Sequence, residues 1–498
     1  MRTQSLLVFL TAVIVFTSGC QRTAARESSA AAANTMGRSI VYLHTASYGY
    51  EQNQPWKNKN ISEGWACGAA VGTYEVIAPA LSVANTTLIK ARRQGQNEFI
   101  NARIKVIDYE SNLCLIELDP NTAGTPLKPL VFSEEYRKGT GVDFYWLSPN
   151  SDLHSGRGYL DRAKVEKTGA SYQRRLDYIA ANTSTPTADG EVYCVGDSPI
   201  GIACWSNDNK ETGIIPAETI NKFLAQAAAK NYKGFGTVGF TASELLDPAL
   251  RSFLKIPASV QNGVYVDDIY TLGSGCDVLK KADVILSIDG HTLNPYGLYK
   301  HPKYEEITYS HLITGKAAGD KVLFEVWRDG TKQRLEAEVK NFKASQMLVP
   351  YQEFDYQPEY IISGGFVFQK LTREYLAQWG ENWQGKVLPH LYHYYSDLSF
   401  KPTPERSDVV LLSFVLPTQF NLGYHDLRQL VVKKFNGMTI RSIRDIPAAQ
   451  KLNPDSKYDV IEFELDNPTV VIDREQLPTA DMLTSKIYGI PKLANIRQ

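Results

Sequence analysis

The chain lacks basic runs: 53 lysines and arginines face 54 acids, for a formal charge of −1. Nucleic acid is thereby excluded as a main partner, because a phosphate-binding surface needs clustered cations. Six cysteines are present, yet none forms a C-x-x-C pair or a cysteine–histidine spacing suited to zinc. Phosphate loops are missing too, since Gly273-Ser274-Gly275 is not followed by Lys-Ser/Thr. The expectation is no metal and no cofactor. The apolar run at the start, Leu6 to Phe16, is too short to cross a bilayer as a helix.

What is present is a globular composition. With 43% apolar and 21% charged residues over 498 positions, the chain is long enough for two to four domains. Arg2, the apolar run and Thr17-Ser18-Gly19-Cys20 read as a secretory signal over residues 1–20. Its end resembles a bacterial lipobox, in which the cysteine is lipidated and becomes the mature N-terminus; Thr17 stands where leucine is usual. Cys20 is thus the lipidation candidate, and Gln21 after it implies the outer membrane by the same resemblance. Plain signal cleavage is the alternative. Residues 21–37 are small and polar and read as a tether; about 17 flexible residues hold a domain roughly 20 Å from its anchor. Setting Cys20 aside leaves Cys67, Cys114, Cys194, Cys204 and Cys276, an odd number, so at least one is expected as a buried free thiol.

From Gly64 to Leu118 short apolar strands alternate with turn residues, as in one half of an all-β barrel. Tyr48 to Glu63 reads as a polar loop before them. More strands follow from Leu127 to Leu160 and, after a polar loop, from Leu176 to Trp205, and Ile214-Ile215-Pro216 leads into a helix over Ala217–Lys230. There Ile220, Phe223, Leu224 and Ala227 share one face. The layout resembles the trypsin-like domain of the HtrA/Deg serine proteases. In that family the strand after the first hairpin ends in T-N-x-H-V, and D-x-x-x-D-L-A-L-L follows about thirty residues later. Here those segments read Ala78-Pro79-Ala80-Leu81-Ser82-Val83 and Asp108-Tyr109-Glu110-Ser111-Asn112-Leu113-Cys114-Leu115. Leu81 stands at the histidine position and Asn112 at the aspartate position.

The family's nucleophile lies in G-N-S-G-G-P, ahead of a strand beginning G-E-V-I-G-I. Counting back from Pro199-Ile200-Gly201-Ile202 aligns Thr187-Ala188-Asp189-Gly190 with N-S-G-G and puts Ala188 at the nucleophile. Anchoring on Asp177 instead reaches Ser184 or Thr185. Each loss has its own cost. Leucine cannot accept a proton, alanine is no nucleophile, and asparagine for the orienting aspartate lowers trypsin turnover by about 10⁴. The resemblance therefore implies no catalytic residue at these three positions. His44, His154 and Ser198 are the other candidates. A lone loop histidine is more often a solvated residue than a base, and Ser198 in Gly196-Asp197-Ser198-Pro199 falls in a turn.

From Lys233 the phrases GFGTVGF, NGVYVDDIY and KKADVILSIDGHTL, a helix-like Tyr304–Gly315 and AAGDKVLFEVWRDG resemble an HtrA/Deg PDZ domain, here residues 233–345. In such domains a loop presents backbone N–H groups to a peptide's C-terminal carboxylate while the peptide adds as a strand. The matching residues are Thr237, Val238, Gly239 and Phe240. Residues 346–498 resemble the second, atypical PDZ domain of the plant-type Deg proteases; Ser363, Gly364, Gly365 and Phe366 form its weaker loop candidate, before a long insert from Tyr375 to Asp408.

The expected architecture is mainly β with α/β modules: a trypsin-like double β-barrel over residues 38–232, then two PDZ-like domains. The expected function is that of a proteolytically inactive HtrA/Deg relative facing the bacterial periplasm. It would bind unfolded or C-terminal peptide segments as chaperone, adaptor or scaffold, with client polypeptides and an active protease as partners and a lipid anchor to the membrane. An active endopeptidase with a rearranged site and a structural envelope protein are the alternatives. The resemblance also implies a homo-oligomer, a trimer.

Overall fold

The structure, a computed structural model, describes residues 35–497 apart from 168–170, 185–188, 230 and 466. The signal, Cys20 and nearly all of the tether lie outside the described residues, and so does Ala188. Strands β1 (Ile40–Tyr50), β2 (Asn58–Ala70), β3 (Glu75–Pro79), β4 (Thr86–Arg93), β5 (Ile100–Asp108) and β6 (Leu113–Leu118) close into a barrel in the order β1-β2-β3-β6-β5-β4. A second barrel has the order β10-β11-β12-β9-β8-β7. Its strands are β7 (Gly141–Leu147), β8 (Leu153–Lys167), β9 (Arg174–Asn182), β10 (Val192–Val195), β11 (Ser198–Ser206) and β12 (Glu211–Pro216). Closure leaves neither sheet an edge, so the barrels do not offer their backbones for strand addition.

The apolar residues that marked these strands fill the interiors. Val41, Leu43, Ala66, Ala78, Cys114 and Ile116 pack in the first barrel; Phe144, Leu160, Tyr178, Tyr193 and Ile214 pack in the second. A third cluster joins them. Tyr42, Cys67, Ile77 and Leu115 meet Leu147, Cys194 and Ile215, and the helix Ala217–Ala228 adds Ile220 and Phe223. Full burial of such a side chain stabilises by about 1.5–3 kcal/mol, so the barrels are clamped into one body. All five cysteines after Cys20 are free thiols, and Cys67, Cys114 and Cys194 are buried. The segment Tyr48–Glu63 differs from the expected loop, because β1 and β2 run on and pair as far as Tyr50 and Asn58.

The third unit is a sheet in the order β13-β14-β15-β19-β20, with β16 (His291–Thr292) on β15. The strands are β13 (Phe240–Glu244), β14 (Val264–Ile269), β15 (Val284–Ile288), β19 (Lys321–Arg328) and β20 (Thr331–Glu338). Tyr304–Gly315 is only briefly helical, over His311–Thr314. Its first half is strand β18 (Glu305–Thr308), paired to β17 (Leu298–His301), where Ile307 and Thr308 suit an extended backbone better than a helix.

The fourth unit repeats this order. Strands β22 (Phe366–Lys370), β23 (Val410–Val415), β24 (Leu430–Phe435), β26 (Tyr458–Phe463) and β27 (Val470–Asp473) run side by side, with β25 (Met438–Thr439) on β24. Two strands are added beyond β22: β21 (Tyr360–Ser363) and, outside it, β28 (Ala494–Asn495). The insert after Tyr375 packs back onto its flanking segments, with Trp383, Val387 and Leu391 against Leu348, Leu371 and Val409.

The two modules meet the barrels differently. Glu218 on the helix Ala217–Ala228 accepts from Tyr304 Oη at 2.6 Å and pairs with His311 at 3.2 Å; Tyr299 Oη meets His311 Nδ1 at 2.7 Å. The fourth unit is instead plugged by Trp56, from the β1–β2 connection, which packs on Tyr360 and Phe414.

Candidate functional site

Leu81 and Asn112 come together although 31 residues separate them. The chain leaves β3 through the 3-10 turn Ala80–Val83, and the Leu81 amide donates to Asn112 Oδ1 at 3.0 Å. The Ala80 amide donates to the Asn112 carbonyl at 3.1 Å. Asn112 is buried with φ +52°, a left-handed conformation that asparagine tolerates. Asp108 builds the turn that carries it: Oδ1 accepts from the amides of Glu110 (2.9 Å) and Ser111 (3.3 Å), while Oδ2 accepts from Tyr232 Oη at 2.6 Å. The corner is well formed and holds no titratable group at either position.

Gly190 lies against this corner. Its φ is +93°, and a Cβ there would collide with the Cys67 carbonyl and approach Pro79 Cδ at 3.1 Å, so only glycine fits. The Asp189 carbonyl accepts from the Cys67 amide at 2.6 Å, while burial, reinforced by Glu191, pushes the Asp189 carboxyl up to about 6. Ser184 Oγ is buried with no hydrogen-bond partner among the described residues. The two barrel histidines are engaged elsewhere: His44 pairs with Glu63 at 3.4 Å, and His154 stacks on Trp146. Ser198 opens β11, next to the turn at Gly196-Asp197.

Thr237, Val238, Gly239 and Phe240 are all buried. Three amides of the loop are already bonded. Thr237 N donates to the Lys340 carbonyl (2.9 Å), Gly239 N to the Ser274 carbonyl (3.0 Å), and Val238 N to Oε1 of Gln173, a barrel residue, at 3.0 Å. Gly239 is needed for close approach, since a Cβ would sit 2.7 Å from the Ser274 carbonyl. Gln173 is itself held: its amide donates to Ser171 Oγ (2.9 Å), and Ser171 donates to Glu110 Oε2 (2.6 Å). Burial raises the Glu110 carboxyl to about 7, against the opposing pull of Arg175 and Ser171. No local signal in the sequence marks Gln173, because residues 173 and 238 meet only through the fold.

Beside this loop runs a groove of about 520 Å³. Val238, Phe240, Thr241, Ala242, Ser243 and Glu244 form one wall, and Lys167, Tyr172 and Arg174 of the barrel stand at it too. Strand β13 is the outer strand of its sheet, and among the described residues no strand pairs with its far side. The corresponding strand β22 has no such freedom: β21 pairs antiparallel along it, Ser363 to Phe366 and Tyr360 to Gln369. Gly364 and Gly365 make the turn between them, and Gly364 N donates to Asp481 Oδ1 at 2.6 Å, on the helix Leu477–Tyr488. Ser363 Oγ accepts from Gln450 at 3.1 Å.

Two closed barrels followed by sheets of this topology define a trypsin-like fold with PDZ modules. Residues 349–494 match the family model described as PDZ domain. The chain is similar to Protease Do-like 2, chloroplastic, of Arabidopsis thaliana, with 27% identity over 463 residues, covering 91% of this chain and 73% of that protein. It is 24% identical over 443 residues to Protease Do-like 4, mitochondrial, of the same plant, covering 88% and 81%. A solved structure titled HtrA-type protease AlgW with decapeptide superposes with a TM-score of 0.47 at 16% identity, over 63% of this chain and 98% of that one. The chain is an HtrA/Deg-like protease homologue. Among the described residues no helix is long and apolar enough to cross a membrane.

Proposed function

We propose that this protein is a proteolytically inactive HtrA/Deg relative that captures unfolded polypeptide segments along β13, as a chaperone or adaptor in protein quality control. The observation that carries the proposal is the Leu81–Asn112 corner, where the Leu81 amide donates to the Asn112 side chain and neither position carries an imidazole or a carboxylate. With Ala188 at the nucleophile position, neither proton transfer nor acyl transfer has a group to begin it. The free edge of β13 supports the binding half, because an extended peptide gains main-chain hydrogen bonds there at little cost in ordering the host. Lipidation at Cys20 and the tether would hang this body from the periplasmic face of the outer membrane of a bacterial envelope. A trimer is the assembly that the family resemblance suggests.

The test uses the chain from residue 21 onward with a fluorophosphonate serine probe, casein turnover, and binding of fluorescent reduced, alkylated casein. Binding without labelling or turnover is the expected result. Stoichiometric labelling with turnover would overturn the inactive reading, and no binding would overturn capture.

A further inference from the structure

The β13 groove carries an unbalanced charge that bears on what it accepts. Lys167 closes β8 and Arg174 opens β9; the two are cross-strand partners, both exposed, and both line the groove at which Val238 and Phe240 also lie. Among the described residues neither makes an ion pair. Arg373 adds to the field: although Lys167 stands at the surface, partial desolvation in the groove, and then the positive charges of Arg174 and Arg373, hold its ammonium below its ordinary range. Two like charges face each other across one ladder rung, an arrangement that costs energy unless an anion comes between them. Glu244 closes the other end of β13 and repels acids there.

The loop beside these cations cannot take a chain terminus in the usual way. Its amides at 237, 238 and 239 are bonded to Lys340, Gln173 and Ser274. A device that reads a free C-terminus needs those donors open. A pair of side-chain cations reads a carboxylate wherever it stands in the chain.

The geometry points to an internal, extended segment bearing an acidic side chain as the occupant of this groove, its carboxylate held by Lys167 and Arg174 and its backbone added to β13. This inference rests on the capture reading and narrows its ligand class.

Fluorescence anisotropy with a labelled decapeptide tests it: alternating threonine and valine around two central glutamates, amidated at its C-terminus. Its free-acid form should bind within about threefold, and the version with glutamines in place of glutamates about tenfold or more weakly. The double substitution Lys167→Gln and Arg174→Gln, at exposed positions that leave the fold intact, should bring the glutamate peptide down to the glutamine peptide's level. If amidation abolishes binding, or the glutamine peptide binds as tightly as the glutamate one, this inference falls while capture stands. If neither these peptides nor unfolded casein bind, both fall together.

Discussion

The two PDZ-like modules share one strand order and differ at one edge. In the first, β13 ends the sheet and faces a groove; in the second, β21 occupies the equivalent edge of β22 and β28 covers β21 in turn. The second module is therefore filled by its own chain, with Asp481 on the Gly364 amide. An edge strand left open exposes unpaired backbone groups and is kept only where something adds to it or something blunts it. The comparison teaches that PDZ topology alone does not give a binding site; what decides is whether the chain spends its own residues on the edge.

The attachment of the modules sharpens the contrast, and the largest effect is expected at the closed one. Trp56→Ala removes the plug under Tyr360 and Phe414 and should cost about 3–5 kcal/mol, read by chemical denaturation and independent of pH. The open module is held by ionisable groups instead. Burial works to raise the Glu218 carboxyl, but hydrogen bonds from His311 and Tyr304 outweigh it and hold it down to about 2. A depressed carboxylate contributes stability above its unfolded value of about 4.3, and that contribution is lost as pH falls through about 2. Glu218→Gln should therefore cost about 3 kcal/mol at pH 7 in urea denaturation, with the gap to the parent protein closing between about pH 4.5 and 2.

A smaller effect is expected from Asp481→Asn, which weakens the charge-assisted bond to Gly364 N by about 1 kcal/mol. Peptide binding should not appear at β22 in this variant, because β21 still covers the edge; anisotropy checks it. The smallest effect is expected from Ala188→Ser, which should leave casein turnover at background because the Leu81–Asn112 corner still offers no base.

Much of this was legible in the sequence, and for identifiable reasons. Barrel strands announced themselves by short apolar runs between turns, and the proposed loss of catalytic groups at Leu81 and Asn112 rests on the letters at those positions. The bond from Leu81 N to Asn112 Oδ1 was not legible, since 31 residues separate the two and the resemblance pairs the positions without giving their contact. Tyr304–Gly315 differs from its helix-like reading because pairing with β17 holds its first half extended. The state of each loop was not legible at all. Val238 N is bonded by Gln173, 65 residues earlier, and Gly364 N by Asp481, 117 residues later, and no local pattern encodes such meetings.

The most direct test is amide hydrogen exchange, followed by mass spectrometry, with and without reduced, alkylated casein. The account predicts slower exchange in peptides covering Thr241 to Glu244, no change over Phe366 to Lys370, and casein recovered intact. Equal exchange at β13 in both samples, or casein returned as fragments, would contradict it.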